Sequence, residues 1–242
     1  MIFTRTWRSF FVIAAVLITG SSAQADVREQ VKAATHHFRD ICVTCKVAYS
    51  NQRELQKIGK DFPKSYELKS STAQYKYPDK MRVEGKLGLL KVVMLINGDM
   101  KLFVIPTVRY RDKENIKGKP HKRQTELDLG IVTESLWSDY IVTQVEDLGA
   151  EYKIVFVRSN SKNKNLVCWL DSKTLRMMKL EKFENDGGLK SRYIYSNHKE
   201  YQGIWVPGRI DVYNEDGKLA ATTVYEKVSV NSGIPDSVFN IN

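Results

Sequence analysis

Two cysteines separated by two residues are the most reactive pair of side chains in this sequence. Cys42-Val43-Thr44-Cys45 has the spacing of dithiol redox motifs, which open a helix after a strand in a parallel β-α-β unit. Here the pair closes a predicted helix and precedes predicted antiparallel strands, so its context argues against an oxidoreductase. In an oxidising compartment we expect a structural disulfide, Cys42 with Cys45 or one of them with Cys168, although Cys168 is better placed as a buried thiol.

Two adjacent histidines precede the cysteines and raise the alternative of a metal or haem site. Haem attachment normally needs a histidine directly after the second cysteine, where this chain has Lys46. A zinc site would need both thiols reduced outside the cytoplasm. His36 and His37 would also point about 100° apart on a helix, so at most one of them could join such a site. We therefore predict no metal and no other cofactor.

The motifs of familiar hydrolases are absent from the sequence. It contains no Gly-x-Ser-x-Gly, no His-Glu-x-x-His and no phosphate-binding glycine loop, and it has only 4 histidines. The carboxylates of Glu84, Asp99, Asp171 and Asp211 fall at predicted turns or outer strand faces, where none of them pairs for acid-base work. The sequence favours a binding protein over an enzyme.

The first 25 residues have the pattern of a cleaved secretory signal. Arg5 and Arg8 form a basic start, residues 10–18 are apolar, and Ala23-Gln24-Ala25 is a small-x-small cleavage pattern. The apolar run is shorter than the roughly 20 residues that a membrane span needs. We therefore expect a mature protein that begins near Asp26 in the periplasm.

The remaining chain, residues 26–242, has the length of one β-rich domain. The formal net charge is +10, of which the two arginines of the predicted signal account for two. Lysines are spread along the chain, which indicates a solvated surface with affinity for anionic membrane faces or acidic partners. Nucleic acid is an unsuitable partner for an exported protein, and we expect a monomer.

Short alternating runs broken by turn residues predict an antiparallel sheet of nine or more strands. Asn97-Gly98-Asp99 is a strong hairpin turn, and Met81 and Val83 alternate with charged residues along one strand. The predicted strand pairs are residues 91–96 with 101–105, 152–158 with 166–170, 176–184 with 189–195, and 204–213 with 220–230.

Only two helices are predicted beside this sheet. Apolar residues recur at three- and four-residue spacing over residues 27–41 and again over residues 129–148. Residues 110–124 are rich in Lys, Arg and Gly and predict a mobile polar loop. Two helices suffice to cover one face of a large sheet, so we expect a half-barrel with a helical lid, or a sandwich.

Several segments, taken in order, resemble the LolA-like outer-membrane lipoprotein-sorting proteins. They are Tyr-Pro-Asp-Lys-Met-Arg-Val-Glu at 77–84, Asn-Gly-Asp at 97–99, Gly-Ile-Trp-Val-Pro at 203–207 and Ser-Gly-Ile-Pro-Asp at 232–236. Each is short, and it is their order and spacing across most of the chain that carries the likeness.

This resemblance implies a mainly β (α+β) fold, an incomplete antiparallel β-barrel of about eleven strands with helices covering the concave face. It also implies an apolar cavity that carries lipoprotein acyl chains, or another lipid, between an inner-membrane exporter and an outer-membrane acceptor. A similar half-barrel occurs in sensor modules that act on a membrane partner, which is a second possibility. A redox or metal protein built on the two cysteines is a third.

Strand alternation assigns a set of side chains to the inner face, where a ligand would lie. The same side chains would serve equally well as ordinary core, but methionines and aromatics suit an adaptable pocket. The strand residues are Met81, Val83, Val93, Leu95, Phe103, Ile105, Tyr152, Ile154, Phe156, Met178 and Leu180, and the lid residues are Val31, Phe38, Leu136 and Trp137.

Overall fold

The computed structural model describes residues 20–119, 122–158, 163 and 165–241, so most of the predicted signal lies outside the described residues. Four α-helices are α1 (Gly20–Thr35), α2 (Gln52–Ile58), α3 (Phe62–Ser65) and α4 (Leu136–Asp139). Short 3-10 helices lie at Pro106–Val108, Glu126–Leu129 and Asp236–Phe239. Over the described ranges, no helix is long and apolar enough to cross a membrane.

Fifteen strands complete the fold over the residues that the structure describes. They are β1 (Asp40–Ser50), β2 (Ser70–Lys76), β3 (Lys80–Leu87), β4 (Leu90–Asn97), β5 (Met100–Ile105), β6 (Tyr110–Asn115), β7 (Ile141–Asp147), β8 (Glu151–Val157), β9 (Leu166–Asp171), β10 (Met177–Phe183), β11 (Leu189–Ser196), β12 (Lys199–Tyr201), β13 (Ile204–Val206), β14 (Arg209–Asn214) and β15 (Leu219–Val230).

Thirteen of these strands form one antiparallel sheet in the order β6-β5-β4-β3-β2-β1-β15-β14-β11-β10-β9-β8-β7. The two ends of this order, β6 and β7, are edges that do not pair with each other, so the sheet is not closed into a barrel. The predicted incomplete antiparallel barrel is confirmed, with thirteen strands in place of about eleven. The remaining strands, β12 and β13, form a separate hairpin inserted between β11 and β14.

Three of the four predicted hairpins are confirmed by strand pairing, namely β4 with β5, β8 with β9, and β10 with β11. The fourth is partly wrong, because residues 204–206 pair with β12 and the hairpin with β15 begins only at Arg209. Gln202 and Gly203 have positive φ values, 49° and 79° respectively, and they form the tight turn that joins β12 to β13.

The helix predicted for residues 27–41 ends earlier, because α1 stops at Thr35 and Ile41 belongs to β1. The β-branched residues Ile41, Val43 and Thr44 favour a strand in this segment. The prediction had also missed α2, whose first turn is capped by the side chain of Asn51, which accepts hydrogen bonds from the backbone N–H groups of residues 53 and 54.

The helix predicted for residues 129–148 is also wrong. This segment contains the end of a 3-10 helix, the single turn α4 and the edge strand β7. Gly130 stops the 3-10 helix with a φ of +80°, and an added Cβ atom there would lie only 2.7 Å from Pro207. Residues 110–115, predicted as part of a mobile loop, form the other edge strand, β6, whose charges are typical of exposed sheet edges.

Cross-strand register divides the sheet residues between two faces. Met81 lies opposite Ile96 on the face that the helices cover, which we call the inner face, whereas Glu84 lies opposite Val93 on the outer face. On the outer face, Val93, Leu95 and Leu102 form a small buried cluster against Ile241. Residues 231–241, which we call the C-terminal strap, therefore cover the outer side of β3–β5.

Candidate functional site

The inner face is a continuous apolar surface made of two clusters. The cluster on β7–β11, β14 and β15 includes Ile154, Phe156 and Leu180, and the cluster on β1–β4 and the end of β15 includes Tyr75 and Met81. Tyr225 packs against both clusters and joins them. The inner face thus extends across most of the sheet.

Short segments cover the inner face in place of a second sheet. We call α1 together with residues 126–140 the lid. From the lid, Val31, Leu136 and Trp137 pack on the cluster of β7–β11, and the Trp137 ring meets Phe156 edge-on at 5.4 Å between centroids. Over the other cluster lie Leu129 and Ile131 of the lid, Phe38, Ile116, and Ile204 and Val206 of the extra hairpin.

Few polar contacts join the lid to the sheet. Lys182 on the inner face donates to Asp128 of the lid at 3.1 Å, and the Arg158 guanidinium donates to the Tyr140 hydroxyl at 3.2 Å. Burial by itself lowers the pKa of Lys182, but the Asp128 carboxylate and the Tyr193 hydroxyl outweigh burial and raise it above the ordinary value. Lys182 therefore stays charged and ties residues 126–140 to the sheet.

The lid segment 126–140 is organised by its own hydrogen bonds. The buried carboxylate of Glu126 accepts from the hydroxyls of Thr133 and Ser135 through one oxygen. Thr125 and Asp128 form a reciprocal capping box on the 3-10 helix. These hydrogen bonds all lie within residues 125–135.

The structure brings together most of the predicted site residues. Tyr152, Ile154, Phe156, Leu180 and Trp137, with Val31 and Leu136, belong to one inner-face cluster, and Met81, Val83 and Phe38 belong to the other. Phe103 lies opposite Met94, which places Phe103 and Ile105 on the inner face, half-buried beyond the cluster.

Three assignments to the inner face are wrong. Val93 and Leu95 lie on the outer face under the C-terminal strap, because β4 is apolar on both sides and alternation alone does not identify the inner one. Met178 sits at a break in the register of β10, between residues 177 and 179, and the neighbouring Met177 joins the core in its place.

Several inner-face contributors were missed by the sequence analysis. Leu55 and Ile58 of α2 are buried in the cluster, and their three-residue spacing after Asn51 was a readable helix signal. Lys182 gave no such signal, because a charged residue at an inner position is recognisable only once its partner Asp128 is known.

The cysteines lie on strands, contrary to the helix-closing position expected for Cys42. Cys42 and Cys45 are both in β1, with a register break before Cys45, and all three thiols are free. Burial raises the pKa of Cys45 to about 12, and burial together with Asp40 raises the pKa of Cys42. Cys168 is buried on β9, as predicted. Raised pKa values are the opposite of what a reactive dithiol needs.

The two histidines bind backbone atoms. The ring nitrogen Nδ1 of His36 lies 2.7 Å from the Ala33 carbonyl, and Nε2 of His37 lies 2.8 Å from the Gln202 carbonyl. Among the described residues, no group of three or more His, Cys, Asp or Glu side chains is arranged to hold a metal ion.

A cleft of about 220 Å³ opens at the rim of the lid, and we call it the rim cleft. Most of its lining residues carry polar groups, and Phe38 contributes an aromatic ring from the inner-face cluster. The lining residues are Lys32, Thr35, His36, Phe38, Arg39, Tyr77, Thr133 and Glu134. A smaller void of about 30 Å³ lies under α1 beside Met177 and Trp205.

Replacing Lys182 with Met tests whether its ion pair holds the lid. The variant keeps the aliphatic packing but loses the bond to Asp128, so we expect the free energy of unfolding to fall by only roughly 1 kcal/mol. Hydrogen exchange should rise in residues 126–140 and not in β10. Faster exchange in both segments would contradict a role confined to the lid.

Comparison with known proteins identifies the fold. A protein-family model described only as an uncharacterized protein matches residues 138–242, and no curated protein matches the chain. A candidate outer membrane lipoprotein-sorting protein domain from Vibrio parahaemolyticus is 14% identical, with 91% of this chain and 96% of that chain covered and a TM-score of 0.54.

Two further solved structures give the same result. A LolA superfamily protein from Nitrosomonas europaea is 16% identical, with 88% of this chain and 97% of that chain covered and a TM-score of 0.54. A DUF1329 family protein from Desulfovibrio piger is 11% identical, with 91% and 97% covered and a TM-score of 0.53. This chain therefore has a LolA-like fold.

Proposed function

We propose that this protein is a periplasmic carrier that binds the acyl chains of a lipoprotein, or of another lipid, on its inner face and moves them between membranes. The fold is of the lipoprotein-carrier type, and the name of the similar Vibrio structure refers to lipoprotein sorting. The proposal assigns no catalytic step to the chain.

One observation carries this proposal: the apolar inner face is covered by α1, loops, single helical turns and the two-stranded extra hairpin, with no second large sheet among the described residues. Phe156 and Ile154 are fully buried, yet part of what covers them is one turn of helix and its flanking loop. Burying a ligand's hydrocarbon on the inner face contributes about 0.8 kcal/mol of binding free energy per CH₂. A chain of ~12 methylenes therefore contributes roughly 10 kcal/mol, which offsets the loss of the lid contacts. An acyl chain can therefore take the place of the lid side chains.

The polar contacts of the lid favour opening at low cost. The ion pair of Lys182 with Asp128 and the bond of Arg158 to Tyr140 lie at the partly exposed margin, where each contributes on the order of 1 kcal/mol. The free energy lost when these two contacts break is small compared with the free energy gained by burying the hydrocarbon of the ligand. The closed form then corresponds to the carrier without cargo.

Export and partners follow from the sequence. A signal over residues 1–25 would deliver the chain to the periplasm, where an inner-membrane exporter would supply cargo and an outer-membrane acceptor would receive it. The positive net charge of +10 suits contact with anionic membrane faces or acidic partner surfaces.

The test is to express the full chain, purify it from the periplasm without detergent, and compare its native and denatured masses. We expect about one lipid or acyl-chain mass per protein, recovered in the organic extract. A stable, empty protein that also takes up no added fatty acid would overturn the carrier proposal. It would favour a sensor that acts through a membrane partner.

A further inference from the structure

The rim cleft carries an excess of positive charge. Arg28 and Lys32 lie one turn apart on α1, and His36 and Arg39 continue the series just after the helix ends. Residues spaced by four along a helix share one side, so Arg28 and Lys32 face the same space. Lys32, His36 and Arg39 line the cleft directly.

Glu134 is the acidic residue of the lining. Its carboxylate accepts from Arg28 at 2.9 Å and lies 3.7 Å from Lys32. Arg39 has no carboxylate partner in the described part of the chain, since its guanidinium donates to the backbone carbonyls of His36 and Phe38. A second carboxylate, Glu126, is buried behind Thr133 and bonded to it. The lining therefore keeps spare cationic donors.

The cleft leads toward the apolar inner face. Phe38 lines the cleft and is only 2% exposed, and its ring stacks on Tyr75 of the inner-face cluster at 6.2 Å between centroids. The hydroxyl-bearing side chains of Thr35, Tyr77 and Thr133 complete the lining. Cationic walls over an apolar floor fit an amphiphile whose head stays at the rim.

We infer that the rim cleft binds the anionic head, a phosphate or a carboxylate, of a lipid whose acyl chain enters the inner face. This inference rests on the proposed carrier function and specifies its cargo. Arg39 and Lys32 donate to the anion, and the hydroxyl of Tyr77 adds a neutral donor. The source of the head is either a phospholipid or a free fatty acid.

The same contacts couple cargo binding to lid opening. An anion in the cleft competes with the Glu134 carboxylate for Arg28 and Lys32, which join α1 to the 133–135 segment of the lid. Because the anion binds better once Glu134 has left, it shifts the population toward a form in which residues 126–140 have separated from α1. A neutral lipid of equal length lacks this effect.

Three ligands that share a ten-carbon chain separate the head from the hydrocarbon: decanoate, decyl phosphate and decanol. Isothermal titration of the purified protein should give about 10-fold tighter binding of either anion than of decanol, a gap that narrows at high salt. The double variant K32A/R39A should bind the anions about as weakly as decanol and leave decanol binding unchanged. The variant K64A removes an exposed lysine that does not line the cleft and should behave like the unmodified protein.

Each result has one meaning. Tight binding of decyl phosphate alone identifies a phospholipid head, and tight binding of decanoate alone identifies a fatty acid. Equal affinity for all three ligands, unaffected by K32A/R39A, overturns the head-group inference and leaves the carrier function standing. Failure of all three ligands to bind overturns the carrier function itself.

Discussion

Replacing Phe156 with Ala is expected to lower the free energy of unfolding by about 3–5 kcal/mol. Phe156 is fully buried on β8 and is covered by two aromatic rings of the lid segment, Trp137 at 5.4 Å and Tyr140 at 6.2 Å between centroids. The substitution leaves an apolar cavity between the sheet and the lid, and the neighbouring rings lose their contact surface. Urea denaturation measures the loss of stability.

Lid mobility provides the second readout for this variant. Acrylamide should quench Trp137 more strongly in F156A, with W137F used to subtract the emission of the other tryptophans. V93A is the matched control, because Val93 lies on the outer face and its loss of roughly 2 kcal/mol should leave the quenching of Trp137 unchanged. Equal quenching in both variants would contradict the assignment of Phe156 to the face under the lid.

The contrast between Phe156 and Val93 shows where the alternation of apolar and polar residues identifies the inner face of a strand and where it does not. On β8, Lys153 separates Tyr152 from Ile154 and so marks the inner-face positions, although residues 154–157 are all apolar. On β4, five apolar residues follow one another from Val92 to Ile96, because the lid covers one side and the C-terminal strap the other. A strand buried on both faces shows no two-residue alternation of apolar and polar side chains, so its inner face cannot be identified from the sequence.

The lid was less predictable than the sheet. Helical spacing through Leu129, Val132 and Leu136 reflects contacts with one face, but the chain meets that face through a 3-10 turn, a loop and the single turn α4. The Glu126 hydrogen bonds within the segment and the close packing of Gly130 against the distant residues Tyr195 and Pro207 fix this path, and spacing reveals neither. The order of family-like segments predicted the overall fold, because it does not depend on such local detail.

The rim cleft was unpredictable for a related reason. Its cationic groups are near one another in sequence, but Tyr77 and Glu134 reach them only through the fold. From the sequence, His36 stands out only as a candidate metal ligand. Its place in the lining of the rim cleft becomes recognisable only when residues 126–140 are placed beside α1.

Replacing Asp40 with Ala is expected to release the C-terminal strap and to cost about 3–5 kcal/mol of unfolding free energy. Asp40 is 2% exposed, and one carboxylate oxygen accepts from the backbone N–H and hydroxyl of Ser232 at 2.8 and 3.0 Å. The other oxygen accepts from the N–H groups of Gly233 and Ile234 at 3.0 and 3.3 Å. Without the carboxylate, these three backbone donors lose their partner.

The strap also shields an apolar surface, so the loss extends beyond the hydrogen bonds. Once residues 231–241 detach, the outer side of Val93 and Leu95 meets water, and the strap becomes accessible to protease. Urea denaturation and limited proteolysis should both report the change in D40A. The control D236A removes an exposed carboxylate that pairs with Lys76 and Lys80, and it should alter neither readout appreciably. A strap that resists protease in D40A would mean that Phe239, which is fully buried, anchors it without help from Asp40.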